Sequence, residues 1–368
     1  MSAPRTFAAA AVAALVTLSM APAASAKSNE VKVTLTDAGC PKRIRTDAGP
    51  STFKVKNEDA TAVSEFEVLS GDRILGEREN LVPGLSGEFS LTLKPGTYTT
   101  YCPGGDREKG ELVVTGTAAA ALSPEGEAAV EQYRAYVEDQ AAQLVAVTKT
   151  FTDAVSSGDV AAAKAAYAPA RIPYERIEPV AETFGDLDPR IDAREGDVSK
   201  KEWGGFHLLE QALFVDGTTN GVASVATQLQ ADVEQLQGLI ADTQYEPATI
   251  ANGAVELLNE VSASKITGEE ERYSHTDLVD FQANVEGAQA AFDAVKPILV
   301  VKNAALAAQI DARFADVSAA LAPYGSGATF VSYTDLTKAD TKKLSQSIDA
   351  LAEPLSKVAK KVVSAQGQ

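Results

Sequence analysis

The chain has 368 residues, of which 51 are Asp or Glu and 33 are Lys or Arg, giving a formal charge of -18 at pH 7. That balance excludes nucleic acid and anionic membrane surface as natural partners and is compatible with cation binding. With two histidines and two cysteines in all, any imidazole or thiolate chemistry must run through His207, His275, Cys40 or Cys102.

The first 26 residues place Arg5 before an apolar run from Phe7 to Met20 and end in Ala24-Ser25-Ala26, the small-residue pattern of a cleavage site. The run is short for a membrane helix, and no later stretch approaches the ~20 apolar residues such a helix needs. The expectation is a cleaved signal peptide over 1-26 and an extracytoplasmic chain, periplasmic or secreted, with no direct membrane insertion.

From residue 30 to about 115 the apolar pattern has period two: Val31, Val33, Leu35; Phe53, Val55; Phe66, Val68; Phe89, Leu91, Leu93. Turn signals at Pro83-Gly84 and Lys94-Pro95-Gly96 divide the runs, predicting a β-sandwich of about seven strands. The Ala/Thr-rich stretch at 115-127 reads as a linker.

Beyond it the spacing becomes helical. Val222, Val225, Leu229, Val233, Leu236 and Ile240 form one stripe; Leu278, Phe281, Val285, Ala288, Phe292 and Val295 a second. Leu306, Ile310, Phe314, Val317 and Leu321 form a third, and Leu344, Ile348, Leu351, Leu355, Val358 and Val362 a fourth. Such stripes are buried by bundling, and the segment is long enough for two packed bundles. Ser123-Pro124 predicts a capped helix start, and Ser199-x-x-Glu202 a capping box for the helix that carries GGFHLLEQALF, residues 204-214.

On that helix Trp203, Phe206, His207, Glu210 and Phe214 share one stripe, so an imidazole and a carboxylate face the interior. An isolated pair could satisfy itself or cap a neighbouring helix. A second cluster, in residues 170-195, points instead to a metal: Glu175 and Glu178 are spaced to share a helix face, Asp192 follows an acidic loop, and Pro169, Pro173 and Pro179 are expected to break or kink the segment. Carboxylates plus one imidazole from facing helices suit iron, manganese or zinc, with copper also compatible. His275, just before Thr276, is expected to be structural. Asp277, Asp280 and Glu286 could line the same interior, but their spacing defines no site.

Several long blocks, PYERIEPVAETFGDLDPRID, GGFHLLEQALF and ASKITGEEERYSHTDLVDFQANVEGAQAAF, closely resemble the imelysin-like helical domain of the EfeO family, the extracytoplasmic component of the EfeUOB iron-uptake system. The resemblance implies an all-α imelysin-like domain of two packed four-helix bundles over 125-366, with His207 and Glu210 as the presumed metal site. It implies iron, ferrous or ferric, as cargo, and a membrane iron permease and a haem peroxidase as partners. VKVTLTDAGCPKRIRTDAGPSTFKVKN and LKPGTYTTYCPGGDREKGELVV look like the family's cupredoxin-like domain, here 28-115 with a linker at 116-124.

A blue-copper centre needs two histidines and a cysteine, and this half has no histidine. Two readings therefore stand for Cys40 and Cys102. One is a disulfide, worth roughly 4 kcal/mol for a loop of about 60 residues. The other is a metal site shared with Glu65 or Glu67, although both alternate with Phe66 and Val68 and so are expected to point to solvent.

The functional expectation is a non-catalytic iron-binding component that passes metal to a permease. A ferroxidase step would require metal in the β half. A metal-dependent peptidase is the first alternative, opposed by Gln211, which stands where the inverted zincin motif His-x-x-Glu-His needs its second histidine. A binding protein for a metal-bridged anionic polymer is the other.

Overall fold

A computed structural model describes residues 28–117, 121–263 and 265–363. The expected signal peptide at 1-26 lies outside the described residues, as do 118–120 of the expected linker and 364–366 of the expected helical domain.

The β half has eight strands: β1 (Asn29–Leu35), β2 (Arg43–Asp47), β3 (Gly49–Asn57), β4 (Phe66–Ser70), β5 (Arg73–Arg78), β6 (Ser86–Leu93), β7 (Gly96–Tyr101) and β8 (Lys109–Thr115). They form a three-stranded sheet, β1-β3-β6, facing a five-stranded sheet, β2-β8-β7-β4-β5. Each period-two residue read from the sequence is buried between the sheets, where the rings of Phe53 and Phe89 stack with centroids 4.8 Å apart. β2 and β5 carry no alternating buried row, so the sequence pattern announces them weakly and the expected strand count falls one short.

Cys40 and Cys102 are joined as a disulfide, with Cα atoms 5.4 Å apart. This removes the metal reading of the pair, because both thiolates are spent in the bond. The solvent-facing reading of Glu67 is also corrected: it is 5% exposed. The helical half packs on β5 and β6 through residues 182–187, 247–263 and 358–363, so one edge of each sheet lies at a domain seam. At that seam Arg78 pairs with Glu256 at 3.2 Å. The Asn252 side chain donates to the Ser90 carbonyl at 2.8 Å, occupying the edge strand β6 as a neighbouring strand would.

The helical half comprises α1 (Pro124–Ser157), α2 (Val160–Glu175), α3 (Glu178–Ala181), α4 (Asp188–Asp192), α5 (Gly205–Phe214), α6 (Ala223–Ala241), α7 (Pro247–Ala263), α8 (Asp277–Leu321), α9 (Lys338–Leu355) and α10 (Val358–Val363). Ser123 caps α1 by accepting from the Gly126 amide. The second and third stripes belong to one element, α8, interrupted at Asn303 (φ -158°, ψ 76°), where the Asn303 side chain accepts from the Leu306 amide at 3.1 Å and restarts the helix. α1 and α2 pack on α8, with α6 against α1, as one group, and α7, α9 and α10 pack with α8 as the other. This long helix therefore ties two bundles into one continuous apolar core.

Pro169 and Pro173 sit inside α2 without ending it. The break comes after Glu175, so Glu175 closes α2 while Glu178 opens α3. The two acids thus sit on different helices rather than on one face.

Candidate metal centre

α5 begins at Gly205, later than its sequence suggests. Ser199 and Glu202 do bond to each other, at 2.6 Å, but in the turn before the helix. Trp203 is also outside it, donating its indole N–H to the Ala193 carbonyl at 2.9 Å. Gly205 has φ 66°, and a Cβ there would collide with the Ile191 carbonyl oxygen. A residue without a side chain lets α5 start hard against the end of α4, which brings His207 to Asp192.

His207 is 1% exposed and Glu210 is fully buried. Nδ1 of His207 lies 3.2 Å from Oε2 of Glu210, whose other oxygen accepts from the backbone amides of Tyr273 (2.9 Å) and Ser274 (2.7 Å). Glu210 is therefore a fixed acceptor that holds the ring and its Nδ1 proton. Against the cost of burial, the His207 charge and these two amides pull its carboxyl below the usual range.

The opposite ring nitrogen, Nε2, has no hydrogen-bond partner. It faces Asp192 at 3.5 Å and Glu270 at 3.6 Å. Burial and the Arg171 charge act to lower the basicity of His207, but Asp192, Glu210 and Glu270 outweigh them and raise it to about 9. Glu270 is held well below the normal carboxylate range despite its burial, by Lys265, His207 and Arg194.

Glu175, Glu178 and Asp192 do converge, with carboxylate oxygens within 4.8 Å of one another. A buried ammonium already stands between the first two. Nζ of Lys265 lies 2.7 Å from Glu175 and 2.6 Å from Glu178, and the Asn284 amide donates to both acids. Arg171, also fully buried, pairs with Glu175 and Asp192 and approaches Glu271 at 2.7 Å and Asp280 at 3.2 Å. Its guanidinium lies over the Phe206 ring. Seven acids thus surround two fully buried cations and one imidazole, with Arg194 on Glu270 at the edge, leaving negative charge to be met by protons or by a further cation. Protons meet part of it: burial raises the carboxyls of Glu178, Glu271 and Asp280.

The group opens on a cleft of about 390 Å³ lined by Asp192, Arg194, Glu178, Glu182, Glu260 and Glu270 among others, with Glu79 and Asn80 of the β half on its rim. Glu286 lies apart, pairing with Arg176 at 2.7 Å. Asp277 is buried and accepts from the Glu271 amide at 3.1 Å. His275 serves the turn before α8: it has φ 58°, its amide bonds to the Glu271 carbonyl, and its carbonyl accepts from Tyr333.

Glu65 and Glu67 belong to a separate acidic group with Glu77 and Glu79 at the domain seam, where burial is the first cause that raises all four and brings Glu67 to about 9 and Glu79 to about 8. Arg171, Lys265 and Glu270 escaped the sequence reading. Arg171 had a signal, its position four residues before Glu175. Glu270, inside Glu269-Glu270-Glu271-Arg272, looks like solvated surface charge, and Lys265 looks like a loop lysine.

Residues 129–358 match the imelysin family model, and 8–114 match that of the cupredoxin-like domain. The protein "Iron uptake system component EfeO" of Escherichia coli (strain K12) is 46% identical over 340 residues, covering 89% of this chain and 90% of the relative. The chain belongs to the EfeO family. Proteins of the same name from Shigella flexneri and Shigella sonnei (strain Ss046) match with the same identity and coverage. The cupredoxin-like match begins inside the expected signal peptide, so it offers no cleavage boundary.

Proposed function

We propose that this chain is the extracytoplasmic iron-binding component of an iron uptake system, and that it takes the ion on Nε2 of His207 together with Asp192 and Glu270. The observation that carries this is the unpartnered, buried Nε2 facing two carboxylates at 3.5 and 3.6 Å. Those separations are long for hydrogen bonds but suit neighbouring ligands of one ion, since donors each about 2.1 Å from a metal sit roughly 3 to 3.5 Å apart. Glu210 orients the imidazole from behind, as carboxylates do for metal-bound histidines. Glu175 and Glu178, neutralised by Lys265, form the layer behind Asp192. One imidazole with hard oxygen donors suits iron as cargo, with zinc and copper as compatible ions. An ion bound there would leave through the acidic cleft to a membrane permease, with a haem peroxidase as the third member of the system.

The role is capture and delivery rather than catalysis. Gln211, at the position a peptidase would give to a second histidine, donates to the Tyr273 hydroxyl at 3.0 Å and so serves the turn that holds Glu210. Calorimetric titration with iron, zinc and copper should show a tight site in the wild type that His207→Ala, Asp192→Asn and Glu270→Gln each remove. Glu210→Gln should weaken it by about 10 to 100-fold. Unchanged binding in folded His207→Ala would place any metal elsewhere.

A further inference from the structure

Among the described residues lining the cleft, eight are acidic and one, Arg194, is cationic. Arg194 follows α4 two residues after Asp192, at the mouth of the site. Its side chain is 26% exposed, whereas that of Glu270 behind it is 3% exposed. Nη1 of Arg194 donates to Oε2 of Glu270 at 3.0 Å, and Nε donates to Asp197 at 3.1 Å. Asp197, 44% exposed, also accepts from the backbone amide of Arg194 at 3.0 Å. One guanidinium therefore bridges a buried acid that faces Nε2 of His207 and an exposed acid at the rim.

We propose that Arg194 is a displaceable counter-ion that occupies Glu270 in the metal-free protein, yields it to the entering ion while remaining held by Asp197, and returns to drive release. This rests on the ligand set given above. A cation coming through the cleft meets Arg194 before Glu270, and the two draw on the charge of one carboxylate, Arg194 at Oε2 and an ion beside Nε2 of His207 at Oε1. Arg171 and Lys265 cannot act in this way, because both are fully buried among several acids. The exposed anchor on Asp197 is what allows the guanidinium to leave Glu270 without leaving its segment. A delivery protein gains from such competition, since a site with no competitor for its ligands holds its cargo longer.

The test is titration of the full chain with Zn2+, and with Fe2+ under anaerobic conditions, together with stopped-flow release to a chelator. Wild type, Arg194→Gln and Asp197→Asn are compared after circular dichroism shows each to be folded. Arg194→Gln should bind roughly tenfold tighter and release more slowly, the effect of losing one competing charge-assisted hydrogen bond. Asp197→Asn, which removes the exposed charged anchor of Arg194 and leaves the guanidinium on Glu270, should bind more weakly. Equal or weaker binding by Arg194→Gln, with wild-type binding intact, would overturn the counter-ion role and leave the ligand assignment standing. Absence of binding in both wild type and Arg194→Gln would sink both.

Discussion

Lys265 offers the most demanding test of how the site is held together. Its ammonium is buried between Glu175 and Glu178 at 2.7 and 2.6 Å, and Lys265→Met keeps an unbranched side chain one atom shorter while removing the charge. Two acids are then left in a buried site with Asn284 and, for Glu175, Arg171 as partners. Removing one member of a buried pair costs about 3–5 kcal/mol, and in a domain of this size each kcal/mol lowers the melting temperature by about 2–4 °C. The expected loss is therefore about 6–20 °C, or the corresponding shift in a urea titration followed by far-ultraviolet circular dichroism. The deficit should depend on pH. Burial and Glu175 already raise the Glu178 carboxyl, with Lys265 opposing them. In the variant that opposition is gone, so uptake of a proton relieves the folded state. The deficit should shrink toward about pH 5 and grow as pH rises. A variant that melts within about 1 kcal/mol of wild type, or whose deficit grows on acidification, would refute the view that Lys265 compensates these acids.

Two further outcomes are expected. In the β half, Glu67 and Glu79 have folded values of about 9 and about 8 against 4.5 in the open chain. Their contribution to stability is full below about pH 4.5 and is lost as pH climbs through those values; melting temperatures should fall between about pH 5 and pH 9, and a Glu67→Gln/Glu79→Gln variant should flatten the slope. A slope unchanged in that variant would place its origin outside the seam. The disulfide spans 62 residues, so Cys40→Ser/Cys102→Ser should cost the β half roughly 4 kcal/mol in the chain-entropy model. Denaturation of wild type with and without reductant should show the same difference, and equal curves would contradict it.

The division between a β half and a helical half was legible because burial imposes period two on strands and period 3.6 on helices, and the buried residues kept both periods from Val31 to Val362. The Ser123 cap was legible because it depends on neighbours in sequence. Local signals misled where tertiary contacts decided the outcome. Pro169 and Pro173 were absorbed within α2, and Ser199 with Glu202 closed a turn rather than capping α5. Glu67 is buried although it alternates with Phe66 and Val68, among Glu65 and Glu79 from neighbouring segments that its alternation pattern cannot register.

At the candidate site, His207 and Glu210 stood out because an imidazole and a carboxylate on an apolar helical stripe require an explanation within that stripe. Their separate positions did not. Which nitrogen Glu210 holds, and which nitrogen is left facing Asp192 and Glu270, depends on the turn at Tyr273 and Ser274 arriving from a distant part of the chain. The same holds for Lys265 and Arg194, each of which reads as ordinary surface charge in its own segment. Composition and periodicity determined that this is an acidic chain of a sandwich followed by helical bundles, with a polar pair set into the helical interior. Only the packing of α2, α4, α5 and the turn before α8 decided which acids are neutralised by lysine or arginine and which face the free imidazole nitrogen. Charge compensation in a buried site is settled by distances of a few ångströms between segments far apart in sequence, which a linear pattern does not encode.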